Sequence, residues 1–577
     1  MALSDPDFYT APFDFAGKRI RGRFVIPSGI RCTHASVIAR TFAEFPPVGV
    51  VTTKSISVRP RAGYREPIYA RASYASYINA VGLANPGAEA FYDELKSMVI
   101  PSDKFLLVSI FGGDAAEFAE ASRILAPVAD AFELNMSCPH AAGYGIEIGQ
   151  DPNLVAQITA EVVRASGRPV LVKLSAVLPR LAPTAQAAMA AGAAGIAVSN
   201  TIGPSTVPLG TEGPILSNRV GGLSGAAIRP LALRSVENVR SAIGAQPLLI
   251  GMGGIGTAEH VAQFRQAGAD VFGIGSALTG LDTPAAMALF ATLERKLTEP
   301  SSAPPSSEPL GADSDDTALS MQYHACLVTG KTCYSGKLFK LTLDRLPGNP
   351  SPGDLSGQFY FLCVPGNGEK PFAVFDAAGR SIVIKVVGSF TQYLATLPVG
   401  NRVFVRGPYG APFAGVRGCK HYVLVGGGTG IASLPEIGAC LRRNHSSVQF
   451  VLGARSAAEI FEVEFLRRLG PVSIATDDGS TGYRGTAADL LRTMLPELSA
   501  EHLPSLVFVN CGPAPMVYAC AALEKDYVPP ERIISAIEYL TSCGVGICGK
   551  CASPDGRLSC IDGPFLPWPA FNREPAS

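Results

Sequence analysis

Four cysteines near the C-terminal end of the sequence have the spacing of iron ligands. They form the series Cys543-x4-Cys548-x2-Cys551-x8-Cys560. Its first part reproduces the plant-type pattern C-x4-C-x2-C, in which thiolates hold a 2Fe-2S cluster. A structural zinc site is the alternative, but zinc usually takes two C-x2-C arms and this segment has only one. The spacing therefore predicts that these four cysteines hold a 2Fe-2S cluster.

A second set of chemically capable residues follows apolar runs in the first half of the chain. The set comprises Ser28-Gly29, Lys54-Ser55, Asn135 to Cys138, Lys173, Ser199 to Thr201, Gly253-Gly254 and Gly275-Ser276. Lysines and amides can surround a polar ring system, and glycine-rich turns offer backbone N–H groups to a phosphate. The set predicts a phosphorylated planar cofactor, with FMN as the leading candidate.

The apolar runs alternate with helical patterns such as residues 114–128 and 257–268. Continuous apolarity suits strands that are buried on both faces of a parallel sheet. Eight such units in about 300 residues predict a (β/α)8 TIM barrel, whose active site lies at the carboxyl ends of its strands. An open doubly wound sheet is the competing fold. The runs are residues 23–29, 48–54, 105–111, 131–137, 169–175, 195–201, 247–253 and 271–277.

A Pro-, Ser- and acid-rich stretch at 299–317 is typical of a linker and separates the barrel, residues 1–298, from the rest of the chain. Short strands without intervening helices then predict an antiparallel β-barrel over 318–417. A return to alternating strands and helices predicts an α/β nucleotide domain over 418–537. The cysteine-rich tail, residues 538–577, forms the last region.

Composition excludes several classes of protein. Lys plus Arg and Asp plus Glu both number 48, and this balance argues against a nucleic-acid-binding protein. The chain is 47% hydrophobic and 17% charged, which excludes global disorder. No apolar run is long enough for a membrane span, and the N-terminus lacks the pattern of a secretory signal. We therefore expect a cytoplasmic protein whose cysteines are reduced.

The barrel segments resemble class 1 dihydroorotate dehydrogenases. The matching segments are VTTKSIS, INAVGLANPG, ELNMSCPH, SNTIG, GGLSG and GMGGI, in this order along the chain. The resemblance implies that Cys138 is the general base that removes the C5 proton of dihydroorotate, while the C6 hydride passes to flavin N5. It also implies that Lys54 lies near flavin and substrate, and that Lys173 lies at the flavin N1/O2 edge.

The strand-end residues and the resemblance together predict two binding sets. The substrate set is Asn79, Gly82, Leu83, Asn135, His140, Asn200 and Thr201. The FMN set is Ser28, Gly29, Lys54, Ser55, Lys173, Gly225, Gly253, Gly254, Gly275 and Ser276.

Residues 319–577 resemble the iron–sulfur flavoprotein subunit of class 1B dihydroorotate dehydrogenases, here fused behind the barrel. For FAD the resemblance implies Lys370, Pro371, Phe372, Gly388 and Thr391. For NAD it implies Gly426, Gly427, Gly428, Thr429, Gly430, Cys511 and Gly512. It further implies that electrons pass from FMN to the 2Fe-2S cluster, to FAD and to NAD, and that the barrel forms a homo-oligomer.

Two other functions stay open. His140 stands where the family often has Asn, and dihydropyrimidine dehydrogenases share the SCPH form, so a dehydrogenase or reductase of uracil-like rings is the second hypothesis. A non-catalytic flavin redox sensor is the third. The sequence does not choose between NAD and NADP, although Arg455 follows the second strand of the nucleotide domain and could meet a 2′-phosphate.

Overall fold

The structure is a computed structural model that describes residues 6–137, 146–177, 179–299, 321–498, 501–537 and 539–571. The chain divides into two compact units, Met1–Ala318 with Val545–Lys550, and Leu319–Gly544 with Cys551–Ser577. The finer division at 417 and 537 stays a prediction. Cys138, His140 and nearly all of the expected linker lie outside the described residues.

Eight strands of the first unit form a closed parallel barrel. Each strand pairs with the next along the chain, and the last pairs with the first through Phe272 and Phe24. The (β/α)8 prediction is thus confirmed over the open sheet. The strands are β1 (Phe24–Ile26), β2 (Val48–Thr52), β3 (Phe105–Ile110), β4 (Ala131–Asn135), β5 (Val170–Leu174), β6 (Gly195–Val198), β7 (Leu248–Met252) and β8 (Val271–Gly273).

Helices alternate with these strands, and both helical patterns singled out in the sequence form helices. Asp114 accepts a hydrogen bond from Glu117 N (2.9 Å) and begins one of them, and Thr257 accepts one from His260 N (3.2 Å) and begins the other. The helices of this unit are Asp7–Thr10, Ala35–Glu44, Ala88–Leu95, Ala115–Leu125, Ile146–Gly149, Pro152–Ser166, Leu181–Ala190, Arg229–Ile243, Ala258–Gln266 and Thr283–Thr298.

A hairpin of Phe13–Phe15 and Lys18–Ile20 closes the amino-terminal end of the barrel. The Phe15 ring packs edge-on against Phe105, the first residue of β3, with 4.7 Å between ring centroids. Phe15 and Ile20 are fully buried in one cluster with inward-facing strand residues. The opposite end of the barrel, where the strands finish, therefore remains for the site.

A four-stranded antiparallel sheet that the sequence did not predict belongs to the same unit. It is built from loop segments, and Asn79 pairs with Gly222 within it. Its strands, in spatial order, are Ile202–Ser205, Gly221–Gly225, Ser76–Asn79 and Tyr69–Ser73.

The second unit contains a six-stranded antiparallel sheet where the sequence predicted an antiparallel barrel. In the described residues the two outermost strands of the sheet do not pair with each other. They are consecutive in the chain, and the turn that joins them pairs with the second of them through Asp376 and Ser381. The strands, in spatial order, are Gly368–Ala373, Phe359–Val364, Arg402–Tyr409, His324–Ser335, Leu338–Leu343 and Ser381–Lys385.

A seven-stranded sheet completes the second unit, parallel except for its last strand. Its strands, in spatial order, are Tyr483–Arg484, Val472–Thr476, Ser447–Ala454, His421–Gly427, Leu506–Gly512, Ile533–Ile537 and Leu566–Pro567. The helices of this unit are Ser389–Thr396, Leu434–Arg443, Val463–Arg467, Ala487–Met494 and Ala514–Glu524. Of all the helices described, none has both the length and the apolar character needed to cross a membrane.

Candidate active site

A chain of polar side chains crosses the carboxyl ends of the first four barrel strands. Ser28 and Ser55 share a hydrogen bond between their hydroxyls (3.1 Å), and Ser55 shares another with Ser109 (2.9 Å). Asn135 Nδ2 donates to Ser55 Oγ at 3.0 Å. Three predicted site residues therefore meet through hydrogen bonds. Ser109 was missed because it lies inside β3, where its one signal is a polar residue within an apolar run.

Glu133 and Lys173 extend this network into the barrel interior. Ser109 Oγ donates to Glu133 Oε1 at 3.0 Å, and Lys173 Nζ lies 3.8 Å from the same oxygen. Both side chains are buried, and Glu133 Oε2 has no hydrogen-bond partner among the described residues. Because a buried charge needs partners, this loose contact leaves both groups able to meet a polar ligand. Glu133 was also missed, although a carboxylate in an apolar strand run is a visible signal.

The predicted substrate residues Asn135, Asn200 and Thr201 come together through Ser137. Ser137 Oγ donates to Asn135 Oδ1 (3.1 Å) and accepts from Asn200 Nδ2 (2.9 Å). Asn200 Oδ1 in turn accepts from Thr201 N at 2.7 Å. Ser137 is fully buried and directly precedes Cys138. The network therefore fixes the chain on the amino side of the predicted base.

The remaining predicted substrate residues contact other partners. Asn79 Nδ2 donates to Gly222 O (3.2 Å) in the antiparallel sheet. Gly82 and Leu83 form a turn with positive φ values of 74° and 55°. Asn85 stabilises this turn, since its Nδ2 donates to Leu83 O at 3.0 Å and its Oδ1 accepts from Gly87 N at 2.9 Å. No hydrogen bond described here joins Asn79 to the strand-end network.

Lys54 reaches back over the end of β1. Its Nζ lies 3.8 Å from the position that a Cβ would take on Gly29. Its backbone N–H donates to Cys32 O at 3.1 Å, which anchors the end of β2 to the segment after β1. Lys54 and Gly29, both in the predicted FMN set, are therefore neighbours.

Three predicted glycines meet beyond the end of β7, where Gly225 ends a strand of the antiparallel sheet. A Cβ on Gly254 would lie 2.5 Å from Gly225 O, and one on Gly253 would lie 3.4 Å from Ser199 Oγ. Both residues also have positive φ, 137° for Gly253 and 72° for Gly254, which disfavours any side chain. Such a bare turn lets backbone N–H groups approach a phosphate closely.

Arg229 and His260, which the sequence did not single out, flank this glycine turn. Arg229 Nη1 donates to Gly254 O at 3.3 Å. His260 Nδ1 accepts from Gly256 N (3.3 Å), and burial, assisted by Arg229, lowers the pKa of His260 to about 4. The imidazole is therefore neutral at physiological pH, and Arg229 supplies the cation beside the turn. The glycine turn and Arg229 suit a phosphate, and the incompletely paired Glu133 and Lys173 suit a polar ring. The site therefore fits a phosphorylated flavin.

In the second unit, three of the four predicted iron ligands lie together. Cys543, Cys551 and Cys560 are each about 1% exposed. Hydrogen bonds to the other two thiols, together with burial, raise the pKa of Cys560 well above its usual range. No three His, Cys, Asp or Glu side chains in the described parts of the chain are set out around a single ion. Buried thiols that lie close together in space suit a two-iron cluster, in which the ligands are divided between two metals.

The two predicted FAD segments also meet. Phe372 stacks on Phe390 with 6.4 Å between ring centroids and 26° between planes. Thr391 Oγ1 accepts hydrogen bonds from Val387 N (2.9 Å) and Gly388 N (3.1 Å), at the start of helix Ser389–Thr396. Lys370 and Pro371 lie on the same edge strand as Phe372.

The two predicted NAD segments lie side by side at the carboxyl edge of the parallel sheet. Gly426 and Gly427 end one strand, and residues 428–430 open the turn Gly428–Ser433. A Cβ on Gly430 would lie 2.1 Å from Cys511 O, so only glycine permits this approach. Cys511 Sγ also donates to Ser433 Oγ at 3.6 Å. Nucleotides bind at such an edge in open α/β sheets.

Comparison with known proteins gives the family of the first unit. Residues 11–297 match the dihydroorotate dehydrogenase family. The chain is 39% identical over 265 residues to the dihydroorotate dehydrogenase B (NAD(+)) catalytic subunit of Pyrococcus abyssi, covering 45% of this chain and 85% of that protein. The subunit of the same name from Methanothermobacter thermautotrophicus is 35% identical over 273 residues, covering 47% of this chain and 88% of that protein. The chain therefore belongs to the dihydroorotate dehydrogenase family and is an oxidoreductase.

Proposed function

We propose that this chain oxidises dihydroorotate to orotate in pyrimidine synthesis and delivers the electrons to NAD within one polypeptide. The observation that carries the proposal is the strand-end network, in which Asn135, Ser137 and Asn200 bond to one another immediately before Cys138. The relatives named as catalytic subunits of a dihydroorotate dehydrogenase support the substrate.

Some of the barrel residues would bind the cofactor and others would bind the substrate. A bound FMN would supply the acceptor for the C6 hydride. The Gly225, Gly253 and Gly254 turn would hold its phosphate, and the Lys173 ammonium would lie against its ring, where a cation stabilises negative charge. Asn135 and Asn200 would orient the pyrimidine ring so that its C5 proton faces Cys138.

The second unit would carry the electrons onward. Its cysteines Cys543, Cys551 and Cys560 would hold a 2Fe-2S cluster, which transfers electrons singly. The fourth cysteine of the predicted set, Cys548, belongs to the first unit. Lys370, Phe372 and Thr391 would bind FAD, and the paired turns at 426–430 and 511–512 would bind NAD. The meeting of Phe372 with Phe390, and of Gly430 with Cys511, supports these two assignments.

Substitution of Cys138 tests the chemistry of the barrel. We expect Cys138→Ala to reduce dihydroorotate turnover by about 10²- to 10⁴-fold, the usual contribution of a general base, while FMN content stays unchanged. Cys333→Ala is the matched control, because this thiol is exposed. Full activity of Cys138→Ala would overturn the assignment of the base.

The second candidate is a dehydrogenase of uracil-like rings, which His140 favours because dihydropyrimidine dehydrogenases share the SCPH form. Comparing dihydroorotate with dihydrouracil as the electron donor separates the two functions. We expect dihydroorotate alone to reduce the bound flavin, and a preference for dihydrouracil would support the alternative.

A further inference from the structure

The second unit contains a fully buried cation–carboxylate pair outside the predicted sites. Arg406 is 1% exposed and Glu369 is also 1% exposed. Arg406 Nη2 donates to Glu369 Oε1 at 2.5 Å, and Nε donates to Oε2 at 2.9 Å. Tyr323 donates its hydroxyl to Glu369 Oε2 at 2.5 Å. One side of the guanidinium is thus saturated by a carboxylate.

The other side of this guanidinium faces a predicted iron ligand. Arg406 Nη1 donates to the backbone carbonyl of Cys543 at 3.0 Å and to the hydroxyl of Tyr409 at 2.7 Å. The next residue, Gly544, has φ 81°, and a Cβ on it would lie 2.9 Å from the Phe361 ring. The start of the cysteine loop is therefore held against the antiparallel sheet by one hydrogen bond and by tight ring contacts.

The pair presents its positive end to the cysteine loop. Glu369 occupies Nε and Nη2, whereas Nη1 donates to two neutral acceptors, the Cys543 carbonyl and the Tyr409 hydroxyl. In a buried site a charge acts over several ångströms with little screening. A cluster that accepts one electron gains one negative charge, and hydrogen bonds and nearby charge are established means of setting its potential.

We propose that Arg406, held by Glu369, is a positioning residue for the 2Fe-2S cluster that fixes the Cys543 backbone and raises the cluster's reduction potential. This inference rests on the proposed cluster. It assigns a role to two residues that belong neither to the predicted FAD set nor to the predicted iron ligands. It also explains why a buried cation is directed at a backbone carbonyl of the cysteine loop.

The test is a redox titration of the full-length chain, followed by the electron paramagnetic resonance signal of the reduced cluster. We expect E369Q/R406Q to retain iron and sulfide but to titrate at a lower potential, because its cation is lost together with the partner carboxylate. R406K keeps the charge beside Glu369 but loses the forked donor, and it should also titrate below the unsubstituted chain. The control R443M/D354N removes an exposed pair of the same unit and should leave the potential unchanged.

The possible outcomes separate this inference from the proposed function. Unchanged potentials in iron-loaded E369Q/R406Q and R406K would overturn it. If the double variant does not fold, the potential of R406K alone decides whether the inference holds. Loss of iron from a folded R406K would overturn the proposed effect on the potential. A lack of both iron and signal in the unsubstituted chain would overturn the cluster and this inference together, whereas flavin reduction by dihydroorotate would still support the barrel chemistry.

Discussion

In the described parts of the chain each unit contains one cation–carboxylate pair with both side chains buried, and the two pairs are built differently. In the barrel, Lys173 Nζ lies 3.8 Å from Glu133 Oε1, and the other carboxylate oxygen has no partner among the described residues. In the second unit, Arg406 meets both oxygens of Glu369, at 2.5 and 2.9 Å, and Tyr323 adds a third hydrogen bond. The first pair is incomplete, and the second is saturated.

The difference separates a ligand site from a positioning device. Burial of charge is unfavourable unless hydrogen bonds and counter-charges compensate it. An incomplete pair at the strand ends of a barrel therefore marks a place where a bound group supplies the missing contacts. A saturated pair accepts no ligand, so its effect falls on the chain segment that it contacts, here the loop that begins at Cys543.

The largest effect should follow from breaking the saturated pair on one side. Arg406→Met leaves Glu369 buried without its cation, so we expect the second unit to lose about 3–5 kcal/mol of unfolding free energy. The only tryptophan, Trp568, lies in this unit, and its fluorescence during urea denaturation provides the measurement. The double variant E369Q/R406M should recover most of the loss. Equal stability of the single variant and the unsubstituted chain would contradict the importance of the pair.

Breaking the incomplete pair should affect chemistry more than stability. Lys173→Met removes the cation proposed to face the flavin, so we expect flavin reduction by dihydroorotate to slow by about 10²- to 10³-fold. Anaerobic stopped-flow absorbance of the flavin measures this rate. Lys18→Met serves as the control, since Lys18 pairs with Asp130 at 3.0 Å beside the hairpin. A normal rate in Lys173→Met would remove Lys173 from the site.

Another buried glutamate, Glu524, forms no ion pair with a cation among the described residues and so provides a further comparison. Glu524 Oε2 accepts from Asn510 Nδ2 at 2.8 Å, and burial raises the pKa of Glu524 from 4.5 to about 8. Between these values the folded state keeps a proton that the unfolded state releases. Stability conferred by the protonated group is therefore complete below pH 4.5 and falls as the pH rises towards 8.

Glu524→Gln should remove this pH dependence. The fall amounts to about 1.4 kcal/mol per pH unit, so between pH 5 and 7 we expect the substituted chain to gain roughly 2–3 kcal/mol relative to the unsubstituted chain. Urea denaturation at both pH values, followed by Trp568 fluorescence, measures the gain. An identical pH profile in both chains would show that Glu524 ionises normally.

The smallest effect on the free energy of unfolding should come from removing one hydrogen bond to Glu369 while its ion pair with Arg406 is kept. Tyr323→Phe removes one hydroxyl from Glu369 and leaves Arg406 in place, so we expect a loss of about 1.5 kcal/mol, typical of a hydrogen bond to a charged group. The same denaturation experiment applies. A loss as large as that of Arg406→Met would mean that the hydroxyl, and not the cation, compensates the carboxylate.

The features that depend on a local sequence pattern were predicted correctly. All eight barrel strands begin within a residue of the predicted runs because continuous apolarity marks strands that are buried on both faces. The strand-end residues Ser28, Ser55 and Asn135 meet because parallel strands deliver their ends to one rim. The cysteine spacing predicted thiols that lie together, and Cys543, Cys551 and Cys560 are buried beside one another.

Other features depend on contacts between distant segments and were missed. Glu133 and Ser109 lie within strands, where an apolar pattern hides single polar residues. The antiparallel sheet at 69–79 and 202–225 is made of strands of four or five residues, too short to show a clear periodicity. The Arg406–Glu369 pair joins two strands that are far apart in the sequence and are separated in the sheet by the strand Phe359–Val364. The closure of the predicted antiparallel barrel stays a prediction, because strand patterns give the number of strands and not the pairing of the outermost two.

Anaerobic titration of the full-length chain with dihydroorotate tests the central claim most directly. Flavin absorbance and the paramagnetic signal of a reduced 2Fe-2S cluster would be followed together, and NAD would then be added. We predict that dihydroorotate bleaches the flavin and produces the cluster signal, and that NAD reverses both changes. If dihydroorotate leaves the flavin oxidised, the barrel chemistry is contradicted, and if it bleaches the flavin without any cluster signal, the electron path is contradicted.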